Sequence, residues 1–275
     1  MEILIVVVLY KCRCEDSSTL TSLITLREKF GYEIYVYDNS SNPQAEKFCY
    51  ERGIVYQKQV SENSLREAYS CASYYSTSNN FDWIILFDQD SEVTYSYLSV
   101  LYSDMMVNPC VYVKVPYVES DKKMISPYFE LIGGYHRGIK KNQDTKIHRD
   151  KNIFAIGSFT ALSVKVASNI DYMRCPFKID FLDKWIYQKI QNLGYSISVL
   201  PITVQHRLSI HDNEKFVSPE RYQNIVQAER LFIAMYRSGI LYTLAYYMRI
   251  LIRTLKIIKR NDRLKYLSAL WGSIL

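Results

Sequence analysis

No cysteine pair stands at CxxC spacing, no glycine interrupts Tyr10-Lys11-Cys12-Arg13 behind the first apolar run, and no apolar run is long enough to cross a bilayer. Each absence excludes something. The six cysteines, Cys12, Cys14, Cys49, Cys71, Cys110 and Cys175, are scattered, which reads as reduced thiols of a cytoplasmic protein, not as a disulfide framework or a zinc site. The missing glycine argues against a glycine-rich phosphate loop after the first strand. The apolar start over residues 3–10 has neither the length of a span nor the basic flank and cleavage site of a leader, so a buried first strand is expected there. Internal repeats and low-complexity linkers are also lacking. With 48% hydrophobic and 23% charged residues, the chain reads as globular, neither disordered nor polytopic.

What remains in 275 residues is room for one large α/β domain, alone or with a helical appendage. β-rich runs near residues 3–10, 33–37, 54–57, 83–87 and 111–115 alternate with helix-length segments near 17–30, 43–52, 65–76 and 95–106, the pattern of a parallel sheet wrapped by helices. Periodicity is lost over 116–150, which predicts a long loop or a small excursion over the site. Order returns at 153–164, and a helix is predicted from about Asp183 to Gln191. Residues 195–200 and 203–206 read as paired extended pieces, and nearly everything after Pro219 reads as helix. The formal charge of +6 matters less than its location, because Lys and Arg gather in the last quarter and favour an anionic partner there.

In open α/β sheets ligands collect at the carboxyl ends of the strands, and three polar clusters stand there: residues 10–13, Asp38-Asn39-Ser40-Ser41 and Asp88-Gln89-Asp90-Ser91. Asp88 and Asp90 follow Trp83-Ile84-Ile85-Leu86-Phe87. Both carboxylates therefore project from a buried strand toward solvent, where two hard oxygen ligands can hold a divalent ion against phosphates. Val8-Leu9-Tyr10, Tyr37-Asp38-Asn39-Ser40-Ser41 and the run 83–91 together resemble the family 2 glycosyltransferases. Asp-Gln-Asp-Ser is particularly similar to their bacterial rhamnosyltransferase branch. Phe177-Lys178-Ile179-Asp180-Phe181-Leu182-Asp183-Lys184-Trp185, Leu193-Gly194-Tyr195 and residues 201–206 continue the resemblance over the first three quarters of the chain.

The resemblance implies an α/β fold of the GT-A kind, a Rossmann-like mixed sheet flanked by helices, over residues 1–215. Its nucleotide-sugar-binding half would be 1–115 and its acceptor half 116–215, with a C-terminal helical extension at 216–275. It implies an inverting transfer from a nucleoside-diphosphate sugar, dTDP-rhamnose or a UDP-hexose, to a hydroxyl of a lipid-linked glycan in O-antigen or capsule synthesis, with Mn2+ or Mg2+ as cofactor. By it, Tyr10, Asp38, Asn39, Arg66, Asp88 and Gln89 face the donor, and Asp88, Asp90 and His206 hold the metal. Asp183 is the catalytic base, or Asp180 three residues earlier, and Trp185 and Lys184 meet the acceptor. A base is needed because the attacking hydroxyl loses its proton as the new bond forms, and a cation because the leaving diphosphate gathers charge.

The segment 63–70 lacks the family's glycine and second asparagine, and Lys184 stands where the family has an acid. A nucleotide-sugar-binding protein without catalysis therefore stays open, as does a sugar-nucleotide nucleotidyltransferase sharing the fold class. Arg66 either pairs with diphosphate or with a neighbouring acid on its helix. Arg249, Arg253, Lys256 and Arg260 recur at i, i+4, i+7 and i+11 with aliphatic residues on the other faces, the pattern of a helix lying on an anionic membrane surface. A soluble lid or a dimer interface fits the aliphatic residues too. Peripheral attachment at the inner face of the cell membrane would bring the chain to a lipid-linked acceptor. No nucleic-acid partner is expected, since aliphatic rather than stacking side chains interleave the basic stripe.

Overall fold

The computed structural model describes residues 1–149, 152–206, 218–237, 239–259 and 262–273. They fall into two compact units, Met1–Tyr128 with Gly138–Arg207, and Phe129–Arg137 with Leu208–Leu275. The expected boundary between 215 and 216, and Asp150 and Arg260, lie outside the described residues. Phe129–Arg137, expected in the acceptor half, groups with the C-terminal helices.

The chain begins with β1 (Ile3–Leu9), α1 (Ser18–Phe30), β2 (Glu33–Asp38), α2 (Glu46–Glu51), β3 (Val55–Lys58), α3 (Leu65–Ser78), β4 (Trp83–Asp88) and α4 (Tyr95–Val107). It continues through β5 (Val113–Ser120), β6 (Lys123–Ser126), β7 (Tyr128–Glu130), β8 (His136–Gly138), β9 (Lys146–His148), β10 (Ile153–Phe154), β11 (Thr160–Ser163), α5 (Val164–Ala167), α6 (Leu182–Asn192) and β12 (Ile197–Gln205). The main sheet runs β3-β2-β1-β4-β11-β5-β12-β9, with β6 on β5. It is mixed: β2 and β4 flank β1 in parallel, whereas β11 is antiparallel to both β4 and β5. β1 is buried at every position, so Ile-Leu-Ile-Val-Val-Val-Leu needs no polar alternation. Ser17, Ser64 and Thr94 cap α1, α3 and α4 by accepting from the amides of Leu20, Glu67 and Tyr97, which fixes where each helix starts after its strand.

The segment expected to be a long loop or a small excursion carries several strands. β5 passes through Pro116 to Ser120 and turns into β6, and β9 joins the edge of β12. Pro116 is tolerated because the β5–β12 ladder pairs Val115 with Val199 and Tyr117 with Thr203, and its irregularity falls between them. A prolyl nitrogen, which cannot donate, sits where the ladder asks for no bond. The two extended pieces expected over 195–206 are one strand, β12, parallel to β5. Beneath it, Lys114 Nζ donates to Asp104 Oδ2 at 2.6 Å, with side chains 0% and 3% exposed. The Ser198 hydroxyl donates to the same oxygen at 3.0 Å.

The second unit holds α7 (Pro219–Tyr236), α8 (Ile240–Ile258) and α9 (Arg263–Trp271), packed around Val226, Tyr246, Ile250, Ile257, Tyr266 and Leu270. Here two members of the basic stripe are corrected. Arg249 and Arg253 turn inward and both donate to the carboxylate of Glu229 on α7, Arg253 Nη1 at 2.5 Å. They join two helices, while Lys256 of the same stripe stays exposed. Gly133 and Gly134, at φ 76 and 74, press on α8, where a Cβ on Gly133 would stand 2.7 Å from Ala245 Cβ.

Candidate active site

The site lies at the carboxyl ends of β1, β2 and β4, where register places Asp38 beside Leu9 and Asp88 beside Val8. Asp88 ends β4 with its side chain 40% exposed, while His206, directly after β12, is 3% exposed and sets Nε2 3.5 Å from Asp88 Oδ2. Asp90 completes a group in which one ligand atom from each residue lies within 4.8 Å of the others. His206 is held on several sides. Its amide donates to Glu119 O at 3.0 Å, its ring meets Phe159 edge-on, and Nδ1 lies 3.3 Å from Ser91 Oγ. With Nδ1 engaged, Nε2 is the nitrogen left for the carboxylate side. Phe159 holds φ 66, a left-handed backbone that is costly for a bulky residue and persists only where packing enforces it.

The turn carrying the carboxylates is tied to the first helix and strand. Gln89 Oε1 accepts from the Tyr10 amide at 2.7 Å, and Gln89 O accepts from Ser17 Oγ at 2.6 Å. The buried Thr19 hydroxyl lies 2.6 Å from Asp88 O and 2.8 Å from Ser91 O, and accepts from the Ser91 amide. Although the Asp88 side chain is partly exposed, the protein packed around its carboxyl strips enough solvent to push it above its ordinary range, His206 pulls it back, and Asp90 adds to the rise. Two carboxylates and an imidazole crowded together fit a divalent cation such as Mn2+ or Mg2+, which would relieve their repulsion and complete their coordination.

Asp183 is the second residue of α6. Burial pushes its carboxyl up to about 7, the Gly157 amide opposes this by hydrogen bonding, and Asp88 and Asp180 add to the rise. Gly157 leaves the space the carboxyl occupies, since a Cβ there would lie 2.6 Å from Asp183 Oδ1 and 3.0 Å from the Tyr69 hydroxyl. At the end of β2, Asp38 accepts from the amides of Ser40 and Gln44. The neighbouring Asn39 is buried with no hydrogen-bond partner for Oδ1, so an acceptor waits where a nucleotide would bind in such a sheet.

Residues 5–170 match the model of glycosyl transferase family 2. The chain belongs to glycosyl transferase family 2. Among solved structures it is similar to S. aureus TarS 1–349 in complex with UDP-GlcNAc, at TM-score 0.58 and 14% identity, covering 100% of this chain and 81% of that one. A mannosyltransferase, PcManGT from Pyrobaculum calidifontis in complex with GDP-Man and Mn2+, matches at TM-score 0.56 and 12% identity over 99% of this chain and 73% of that one. A further S. aureus TarS 1–349 structure matches at TM-score 0.55 and 13% identity over 83% of this chain, which spans 65% of that chain's length. These likenesses show a shared GT-A fold, with the large mixed sheet flanked by helices and the C-terminal helices present in this chain. No curated protein matches its sequence.

Within this family 2 chain, Asp88, Asp90 and His206 are brought together as the family resemblance implied, and Tyr10, Asp38, Asn39 and Gln89 stand at the same edge of the sheet. Other expectations need correction. Arg66 does not reach for a diphosphate: it is bidentate on Glu62, with Nε at 2.5 Å and Nη2 at 2.9 Å, and also donates to Cys175 O. Its guanidinium holds the Glu62 carboxyl down at about 2. Trp185 is 2% exposed and lies on the buried side of α6, so it presents no ring to an acceptor. Lys184 sets its ammonium over the rings of Phe154 and Phe181, at 5.6 and 5.4 Å from the ring centroids. Asp180 lies before α6 rather than on it, separated from the helix by Phe181 at φ 69.

Sequence reasoning missed Glu67, Tyr69, Gly157 and Ser158. Ser64-x-x-Glu67 has capping-box spacing, yet the buried Glu67 carboxylate turns to the Val60 and Ser61 amides and the Tyr37 hydroxyl, the last at 2.5 Å. It gathers the loop after β3 onto β2. Tyr69 is buried, and burial, with Asp183 and Asp88 adding to it, raises its hydroxyl far above the ordinary range, keeping it a proton-bearing donor beside the carboxyls. The one signal for Gly157 was its isolation inside a strand-like run, the mark of close approach.

Proposed function

We propose that this chain is an inverting, divalent-cation-dependent transferase that moves a sugar from a nucleoside diphosphate to a hydroxyl of a glycan acceptor. The observation that carries the reading is the Asp88–Asp90–His206 group at the strand ends, with the Asp183 carboxyl held against Gly157 and Tyr69 and raised by burial to about 7. A group poised near neutral pH is the right strength to take a proton from a hydroxyl as that hydroxyl attacks. Asp183 Oδ accepts that proton, Gly157 and Tyr69 shape the space around it, and a single displacement inverts the anomeric centre. The orphaned Asn39 Oδ1 and the neighbouring Asp38 receive the nucleoside. A divalent ion held by Asp88, Asp90 and His206 would supply countercharge to the departing diphosphate.

The Asp-Gln-Asp-Ser turn favours dTDP-rhamnose as donor, with a UDP-hexose next. The acceptor on this reading is a lipid-linked surface glycan. The structural relatives bound to UDP-GlcNAc and GDP-Man add those two donors to the panel worth testing. Calorimetric titration with dTDP-rhamnose, UDP-glucose, UDP-galactose, UDP-GlcNAc and GDP-mannose, each with and without Mn2+, is expected to give one metal-dependent binder. Asp90→Ala should weaken that binding by at least the roughly 10–100-fold that losing an outer-shell partner of a metal costs. Binding of every donor unchanged by Mn2+ and by Asp90→Ala would sink the proposal.

A further inference from the structure

Once Arg249 and Arg253 are assigned to Glu229, the outward side of α8 is left to its aliphatic residues. Leu241, Leu244, Met248, Leu251, Leu255 and Ile258 are 72, 58, 57, 47, 55 and 46% exposed. At 3.6 residues per turn they fall within an arc of roughly 100°, along a helix about 28 Å long. The opposite side is already accounted for, with Tyr246, Ile250 and Ile257 in the core of the unit. A surface helix of a soluble protein turns polar residues to water, and a continuous apolar face of this length marks a docking surface.

The charges around the face select its partner. α8 and α9 contain no Asp or Glu, while Lys256, Lys259, Arg263 and Lys265 are exposed at the carboxyl end of α8 and along α9. Tyr247 on the outward side of α8 and Trp271 at the end of α9 are also exposed, at 53 and 38%, and such rings favour the headgroup level of a bilayer. Against the one carboxylate beside them, Asp262 before α9, these cations are in excess; a second copy of the chain would bring the same excess to the contact, whereas a surface of anionic phospholipid complements it. No helix among the described residues is long and apolar enough to cross a membrane, which leaves a helix lying in the plane of the interface.

We infer that α8 docks the chain on an anionic lipid surface by inserting its outward aliphatic face, with Lys256, Lys259, Arg263 and Lys265 facing the headgroups. The face that docks is thus the one opposite the arginines that the sequence pattern pointed to. This inference does not rest on the sugar-transfer reading, because it concerns another unit and a lipid surface rather than a nucleotide.

The test is flotation of the full chain with phosphatidylcholine vesicles and with vesicles carrying about one-third phosphatidylglycerol, the composition that supplies the negative surface potential. The chain should float with the anionic vesicles and stay behind with the neutral ones. Leu244→Ser with Leu251→Ser and Leu255→Ser, and separately Lys256→Glu with Lys259→Glu, should each weaken partitioning by about tenfold or more. Both sets replace exposed side chains, and unchanged circular-dichroism melting will verify that the fold is kept. In a separate Tyr247→Trp chain, fluorescence should shift to the blue on anionic vesicles and stay put on neutral ones. Failure to float with anionic vesicles, or flotation indifferent to both variant sets, overturns the inference. So does light scattering that shows a dimer in the parent and a monomer in the triple serine variant, which would assign the face to a second copy.

Discussion

Asp183→Asn should lower turnover by about a thousandfold, within the roughly 10²–10⁴-fold that a positioned general base contributes, while donor affinity stays within a few-fold. The amide keeps the shape of the side chain and removes its capacity to take a proton. The pH dependence gives a second readout. With the carboxyl raised to about 7, kcat/KM of the parent should climb through that pH and level off above it, since kcat/KM reports the free enzyme. The climb should vanish from the residual rate of the variant. If Asp180→Asn abolishes turnover and Asp183→Asn spares it, the base is the earlier aspartate. Stability should move the other way. The folded value near 7 lies above the roughly 3.9 of an unfolded aspartate, so the unfolded chain loses its proton first as pH rises. Stability tied to this group is whole below about pH 4 and is lost as pH climbs through 7. Asn does not ionise, so the variant should match the parent at low pH and melt higher at pH 8. An enzyme made more stable by losing its base is the mark of a site strained for function.

Lys114→Met should cost about 3–5 kcal/mol in urea unfolding, the penalty of leaving one partner of a buried ion pair unmatched. Asp104 has burial pushing its carboxyl up, and the Lys114, Asn108 and Ser198 hydrogen bonds outweigh that and hold it below its ordinary range. Without the ammonium, burial wins. Replacing both, as Lys114→Met with Asp104→Leu, should recover most of the loss, because a well-packed apolar pair escapes the desolvation of both charges. Equal losses in the single and double variants would show that packing, not charge, governs this spot.

The legible part of the fold was the part whose residues answer to one local rule. β1 and β4 are buried on both faces and wrote themselves as unbroken apolar runs, and the polar residues that end them had to face the ligand edge. Asp88 and Asp90 were findable on that ground, whereas His206, which follows β12, was expected only from the family resemblance. What was hidden depended on partners distant in sequence. In the sequence the fifth β-rich run stops at 115, and Pro116 continues it only because β12 supplies an irregular ladder opposite it. Lys114 reads as an exposed charge until Asp104 is placed ten residues before it across the end of α4. The family resemblance put Trp185 at the acceptor, yet Leu182, Trp185, Ile186 and Ile190 share the buried side of α6, a period that decides where the ring goes. The arginines of α8 had the spacing of a stripe, and spacing alone does not say which side of a helix meets water. Glu229, on another helix, decides it.

The turn from Asp88 to Ser91 bears on how fast a ligand can be taken up. It is pinned by Tyr10 N, Ser17 Oγ and Thr19 Oγ1, and its Ser91 hydroxyl meets Ser158 Oγ at 2.7 Å. Such a turn has little conformational freedom left to surrender on binding. Capture at this end of the sheet should therefore behave as collision with a finished template. The observed association rate should rise linearly with ligand concentration, without the plateau that a slow rearrangement before or after encounter would impose.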